Sequence, residues 1–337
     1  ASRLVLYDTT LRDGAQTPGV VFSLNDKVNI TKKLSRFGFD YIEGGWPLSN
    51  HRDTEYFKHV AAMELDAKLA AFGMTSRDPK HDKMLNNLLI ADVVTIFGKS
   101  WDLHVRDVLK VTLDDNLTMI GETVDYLTSH GVEVVYDAEH FFDGFKANED
   151  YCMETIKAAK NADCIVLCDT SGGMLPWELY GIMKNISKNI PAELGIHCHN
   201  DCGFAVMNTL VAIALGATHV QGTVNGLGER CGNTDWCELL PVLTLKMNAL
   251  EMDMKSLYDL SLYIERMTGF NTAKNKPFVG ENAFTHKAGV HVDAIIKNPL
   301  AYEHVSPELI GRERRFILSE QIGRAGVAKI ANMHGYR

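Results

Sequence analysis

An α/β fold built as a (β/α)8 TIM barrel with a C-terminal helical extension is predicted by two regularities in the 337-residue chain. Eight short apolar, β-rich runs alternate with longer amphipathic stretches; the runs begin near Leu4, Tyr41, Leu69, Val93, Val132, Ile165, Leu194 and Val220. Nearly every run also ends in polar or glycine-rich residues. These are Asp13, Glu43-Gly44-Gly45, Gly73, Gly98, Asp137 with Glu139, Asp169-Thr170, His197 with His199, and Gly222 with Asn225. A closed parallel barrel gathers all these ends on one face, where barrel enzymes carry their active sites. Turn preference accounts for the glycines there. It does not account for two histidines and five carboxylates.

Between the strand candidates, helical periodicity runs over Asn25 to Phe37, Leu103 to Ser129, Tyr151 to Ala159 and Phe204 to Leu215. Eight strand–helix units in about 245 residues is what the barrel requires. An open doubly wound sheet is the competing topology. It calls for a glycine-rich phosphate turn after the first strand, and Asp8-Thr9-Thr10-Leu11-Arg12-Asp13-Gly14 is not one. The catalytic barrel is therefore assigned to 1–250, and a linker and C-terminal subdomain to 251–337. In the latter, Met252 to Thr268 reads as one or two helices and Asn271 to Pro277 as a polar linker. The remainder from Phe278 is too short for an independent domain and is expected to pack on the barrel or on a neighbouring subunit.

Hydrophobic content of 46% and charged content of 23% predict a full globular core. With 34 basic against 43 acidic residues the formal charge is −9, and no basic run of five or more occurs, which argues against nucleic acid as a partner. Seven scattered cysteines without a CxxC pair read as reduced thiols. The chain opens on a strand pattern rather than an apolar signal segment, and no apolar run reaches eighteen residues, so a cytoplasmic protein with no membrane span is expected.

His197-Cys198-His199 ends the seventh strand candidate, and strand alternation turns both imidazoles to one face. Alone, this pattern fits core or substrate-binding histidines as well as metal ligands. Asp13 follows the first strand, separated from the seventh only by the eighth, and Asn233 follows the eighth. Four side chains on adjacent staves can therefore converge. Two nitrogens and two oxygens suit Mg²⁺, Mn²⁺ or Zn²⁺, with positions left for a chelating substrate. Cys168, Cys198, Cys202 and Cys231 lie near the same face and offer a thiolate site as the alternative; their expected direction is away from it, to the other face or the next helix.

Three motifs carry a resemblance: Asp8-Thr9-Thr10-Leu11-Arg12-Asp13-Gly14-Ala15-Gln16-Thr17, His197-Cys198-His199-Asn200-Asp201, and Asn225-Gly226-Leu227-Gly228-Glu229-Arg230-Cys231-Gly232-Asn233. In order and at barrel spacing, they resemble the DRE-TIM metallolyase family, which holds 2-isopropylmalate, homocitrate and citramalate synthases and hydroxymethylglutaryl-CoA lyase. Ala283 to His291 extends the similarity to the segment after the barrel in the synthases. The resemblance implies a divalent metal held by Asp13, His197, His199 and Asn233, with acetyl-CoA and a 2-oxo acid as substrates. It implies that Arg12 stabilises oxyanion charge, that Gln16 and Thr170 bind substrate, and that Glu139 and His291 handle the methyl proton of acetyl-CoA. Tyr302 is implied as auxiliary acid or water-positioning group. Because His291 and Tyr302 reach the site from the partner subunit in the family, a homodimer is implied too. Without the resemblance, Asp169-Thr170 is a helix cap and His286 and His291 are polar residues on a helix face.

Glu229-Arg230 before Cys231 is synthase-like, whereas the lyase carries its cysteine in a glycine-rich loop without that pair. An aldolase on the same barrel, and a metal-binding protein without activity, are the remaining alternatives. The second to fourth strand ends are apolar and bulky, consistent with a small uncharged 2-oxo acid, although Arg77, Lys99 and His104 lie close in sequence. Gly44 to Pro47, Ala138 to Asn148 and Asn298 to His304 are more similar to citramalate than to isopropylmalate synthases. The implied reaction is acetyl-CoA, pyruvate and water giving citramalate and CoA, on the way to isoleucine. Such synthases usually continue into a regulatory domain that binds an amino acid. The chain stops soon after Ser319 to Arg324, which implies a truncated piece or an unregulated form.

Overall fold

The computed structural model describes residues 3–317, with Ala331 and Gly335. The segment Ser319 to Arg324, and with it most of the end of the expected extension, lies outside the described residues. Eight parallel strands close into a barrel in sequence order: β1 (Val5–Asp8), β2 (Tyr41–Gly45), β3 (Lys68–Met74), β4 (Val93–Lys99), β5 (Glu133–Glu139), β6 (Cys164–Asp169), β7 (Glu193–Cys198) and β8 (His219–Gly222). Closure is made by β8 on β1, with Val5 opposite His219 and Asp8 opposite Gly222. The chain divides into two compact units between Leu239 and Leu240.

Local signals set the helices of the first unit. Ser23 and Asp26 form a capping box that starts helix Leu24–Phe37, and Gly38, left-handed at φ 113, stops it. The stretch Leu103 to Ser129, expected as one helical pattern, is two elements. A π-helical turn, His104–Leu109, ends at left-handed Lys110, and helix Leu113–Ser129 restarts on a Thr112–Asp115 capping box. The box was present in the sequence and marks the boundary that hydrophobic periodicity passed over.

Inside the barrel, Tyr7, Ala70, Val93, Val135, Cys164, Val166 and Cys168 pack into one cluster, with Tyr41 against it. The interior is only partly apolar. Tyr7 Oη bonds the Glu43 carboxylate and lies 2.6 Å from Thr95 Oγ1, and His219 packs beside the stacked rings of Tyr7 and Tyr41. A polar floor of this kind places charged groups under the strand ends and keeps their bonding satisfied.

The second unit contains helix Leu257–Thr268 and helix Gly289–Lys297. It is not purely helical: Thr285–His286 pairs in parallel with Arg315–Phe316. Two-residue strands carry too little periodicity to be read from sequence. Arg312, buried, donates to the carbonyls of Val279 at 2.8 Å and Gly280 at 2.7 Å, which pins the chain after the polar linker. Among the described residues no helix is long and apolar enough to cross a membrane.

Candidate metal centre and active-site cleft

The loop after β1 turns back on Thr9, whose carbonyl accepts from the amides of Asp13 and Gly14. That turn aims Asp13 at the end of β7, where alternation presents His197 and His199 together. Asp13 Oδ2 lies 3.4 Å from His197 Nε2 and 3.6 Å from His199 Nε2, and the two imidazole nitrogens are 3.3 Å apart. Among the described residues this is the one group of three histidine, cysteine or carboxylate side chains gathered closely enough to hold a metal ion. All three are buried.

Asn233 joins them through the backbone, as it forms a bridge with His199. Its Nδ2 donates to Leu227 O at 3.0 Å, which leaves Oδ1 as the free end of the amide. Asn233 Oδ1 and Asp13 Oδ1 are both buried and without a hydrogen-bond partner. Leaving a buried polar group unpaired costs about 1–3 kcal/mol, so orphan oxygens beside a histidine pair are what a cation site shows before a cation is considered. The donor set of two imidazoles, one carboxylate and one amide oxygen fits Mg²⁺, Mn²⁺ or Zn²⁺. The glycines of the β8 loop make room for it: a Cβ on Gly228 would meet Asn233 Nδ2 at 2.1 Å, and one on Gly232 would meet Gly226 O at 1.9 Å.

Cys168 corrects the expected direction of the cysteines. It faces the barrel interior and borders the cleft. Burial pushes its thiol well above the ordinary range, which disfavours the thiolate that would bind metal. Cys198 is buried, while Cys202 and Cys231 are exposed, and none of the three belongs to the group gathered around Asp13.

Electrostatics around the cluster are arranged by Arg12 and Glu43. Arg12 Nε donates to Glu43 Oε1 at 2.5 Å, its Nη1 lies 3.6 Å from Asp13 Oδ2, and its guanidinium sits 3.9 Å above the Phe72 ring. Burial alone would raise the pKa of Asp13; the Arg12 charge and the two histidines override it and hold the carboxylate far below its usual range. Burial and the charge of His197 push His199 down to about 4, while the Asp13 hydrogen bond raises His197 against its own burial. Asp137, buried and near Glu43, is pushed up to about 7. Three residues not assigned a role from sequence thus belong to the site. Glu43 is fully buried at a strand end, Asp137 lines the cleft, and Gln221 connects Asp137 to His197. Their signal was a polar residue inside an apolar strand.

The cluster opens into a cleft of about 1210 Å³ that also reaches Gln16, Glu139 and Thr170. Glu139, the last residue of β5, is ion-paired with Lys99. Thr170 Oγ1 accepts the amide of His140 at 2.8 Å. One wall is aromatic: Phe72 and Phe97 stack at 5.3 Å, and Trp46 stands edge-on to both. In the second unit, His291 and Tyr302 are exposed and stack on each other at 4.2 Å. Tyr302 is followed by Glu303, which is buried under Arg314 at 2.7 Å and His286 at 3.1 Å.

A family model described as HMGL-like matches residues 3–264 of the chain. The chain belongs to the HMGL-like family. A second model, described as homocitrate synthase post-HMGL domain-like, matches residues 278–337. An (R)-citramalate synthase of Sulfolobus acidocaldarius is 48% identical over 96% of this chain and 64% of its own length. A probable 2-isopropylmalate synthase of Methanopyrus kandleri is 38% identical over 97% of this chain and 65% of its own. The chain thus spans less than two thirds of the length of these curated relatives. With them it falls in the synthase branch of the DRE-TIM enzymes, as the sequence motifs implied. The crystal structure of a Bacillus subtilis HMG-CoA lyase superposes with a TM-score of 0.68 at 19% identity, covering 81% of this chain and 96% of the lyase, which places the barrel in the same fold as that HMGL-like protein.

Proposed function

We infer that this chain catalyses a metal-dependent condensation of acetyl-CoA with pyruvate, followed by thioester hydrolysis, to give citramalate and CoA. The observation that carries the choice of acid is the aromatic wall of Trp46, Phe72 and Phe97, on which Arg12 stacks at Phe72, together with the fate of Lys99, Arg77 and His104. Lys99 is held by Glu139, Arg77 lines a separate cavity, and His104 packs on Trp101 and His140. That wall suits a methyl group rather than a second carboxylate. The 48% identity to an (R)-citramalate synthase, against 38% to a probable 2-isopropylmalate synthase, supports the same choice.

Asp13, His197, His199 and Asn233 would hold the divalent metal, which supplies Lewis-acid polarisation of the 2-oxo acid. Thr170 and Gln16 hold the acid, with the Thr170 hydroxyl donating to its carboxylate. Arg12, fixed by Glu43, stands ready to donate to the oxyanion that forms when the keto carbon is attacked. Glu139, assisted by His291, takes a methyl proton from the thioester. The new carbon–carbon bond joins that methyl carbon to the keto carbon, and water then cleaves the carbon–sulfur bond to release CoA. A thioester methyl is a very weak acid, so the base and the enolate-stabilising groups must act together.

His291 and Tyr302 belong to the unit after the barrel, and a homodimer in which each partner lends this pair to the other's cleft completes the site. The seven cysteines form no disulfide among the described residues, which suits a reducing cytoplasm. Free-thiol release from acetyl-CoA with pyruvate, in Mg²⁺, Mn²⁺ or Zn²⁺, tests the reaction. Citramalate and CoA formed in equal amounts is the expected result; no thiol release in any of the three metals contradicts it.

A further inference from the structure

Two non-glycine residues with left-handed backbones hold Thr170, one at its hydroxyl and one at its carbonyl. His140, at φ 52 and ψ 37, directs its amide onto Thr170 Oγ1 at 2.8 Å. Arg230, at φ 55, donates from Nη2 to Thr170 O at 2.8 Å while gripping Asp201 at 2.8 and 3.1 Å. A left-handed backbone is unfavourable for residues with a Cβ and persists where surrounding contacts impose it. Here the contacts are visible. The His140 ring lies 2.9 Å from Asp143 Oδ2, and the same oxygen accepts from Ser171 Oγ at 2.9 Å. Gly172 approaches Asp201 so closely that a Cβ would lie 2.4 Å from its Oδ2. Three neighbouring loops thus converge on one threonine.

The consequence concerns a single hydrogen atom. A hydroxyl that accepts an amide on one lone pair must point its own hydrogen elsewhere. Thr170 borders the cleft, and its hydroxyl hydrogen has no acceptor among the described residues. Resting on the proposed pyruvate condensation, we propose that His140 is a positioning residue. Its left-handed backbone, locked through Asp143, turns the Thr170 hydroxyl into an oriented donor for the carboxylate of the 2-oxo acid. Arg230 keeps the Thr170 backbone in register with that donor. His140 acts through its amide rather than its imidazole, so the side chain matters only as far as it holds the backbone.

That distinction sets the experiment. His140→Gly and His140→Ala both delete the ring and its bond to Asp143; they differ in the cost of the left-handed backbone, which glycine adopts freely. In the full chain, KM for pyruvate rises about fivefold more in H140A than in H140G, with no matching difference in KM for acetyl-CoA. His140→Asn, tolerant of the left-handed region, follows the glycine variant. In a Thr170→Val background the gap between alanine and glycine closes, because the oriented hydroxyl is gone. Equal KM in H140A and H140G, or a gap that survives T170V, overturns the positioning role. Absence of any turnover of pyruvate by the unsubstituted chain overturns the proposed reaction with it, whereas turnover without the gap overturns the positioning alone.

Discussion

His197 Nδ1 donates to Gln221 Oε1 at 2.9 Å, and the other end of the same amide donates from Nε2 to Asp137 Oδ1 at 3.1 Å. As a carboxylate, Asp137 accepts from the NH₂ end, and the oxygen end then faces His197. The proton of the neutral imidazole is thereby placed on Nδ1, which leaves Nε2, on the side of Asp13 and His199, as the atom that would bind the metal. Replacing Gln221 with Leu removes this direction. Metal affinity measured by calorimetry then falls about 10- to 100-fold, the usual cost of losing an outer partner of a ligating histidine. Unchanged affinity in Q221L shows that Gln221 does not orient the ligand.

Gly228 matters both for space and for its backbone, at φ +159. A methyl group there would lie 2.1 Å from Asn233 Nδ2. Gly228→Ala displaces Asn233 and with it the free Oδ1. The expected outcome is weakened metal binding together with a lower melting temperature, since the added methyl and the backbone at φ +159 both strain the loop. Full metal binding by G228A excludes Asn233 from the ligand set.

Glu43 is fully buried and bonds Arg12, Tyr7 and Thr9 at once. Glu43→Ala leaves the Arg12 guanidinium without its nearest countercharge. Breaking such a pair costs about 3–5 kcal/mol; the value expected is about 3, since Arg12 keeps some exposure. Denaturant unfolding of E43A measures it, and a loss under 1 kcal/mol, on the scale of an exposed pair, contradicts the account.

His219 predicts an acid limb of stability. Burial on the barrel floor, beside the stacked rings of Tyr7 and Tyr41, pushes its pKa down to about 3. The folded state holds the ring neutral, so the contribution is present above the unfolded value near 6.5 and is lost as pH falls toward 3. Between pH 7 and pH 5 the loss is about 2 kcal/mol. His219→Phe keeps the ring packing and removes the proton site, so its stability varies less over that range. Identical pH profiles for both proteins contradict this origin.

The barrel was legible because each strand start was marked by apolar runs of the right length; all eight observed starts fall within one residue of those expected. Asp13, His197 and His199 followed from the barrel order, since β7, β8 and β1 are neighbours only once the sheet closes. Glu43 was visible as a strand-end carboxylate and Gln221 as a polar residue in an apolar strand, but what they bond was not legible. Their partners lie 31 and 24 residues away along the chain, and only the inward pleat of the strands brings them together. The positioning of Thr170 was hidden for another reason. It depends on left-handed backbones at His140 and Arg230, residue types for which sequence gives little warning of that conformation. The parallel pair in the second unit was too short to leave a pattern.

The most direct test of the central claim is the ratio of kcat/KM for pyruvate, 2-oxoisovalerate and 2-oxoglutarate, measured by thiol release from acetyl-CoA under one metal condition. The aromatic wall at Trp46, Phe72 and Phe97 predicts that pyruvate exceeds each of the others by about 100-fold or more, because a larger side chain meets the stacked rings and Lys99 beside them is already held by Glu139. A higher value for 2-oxoisovalerate or 2-oxoglutarate contradicts that account of the cleft.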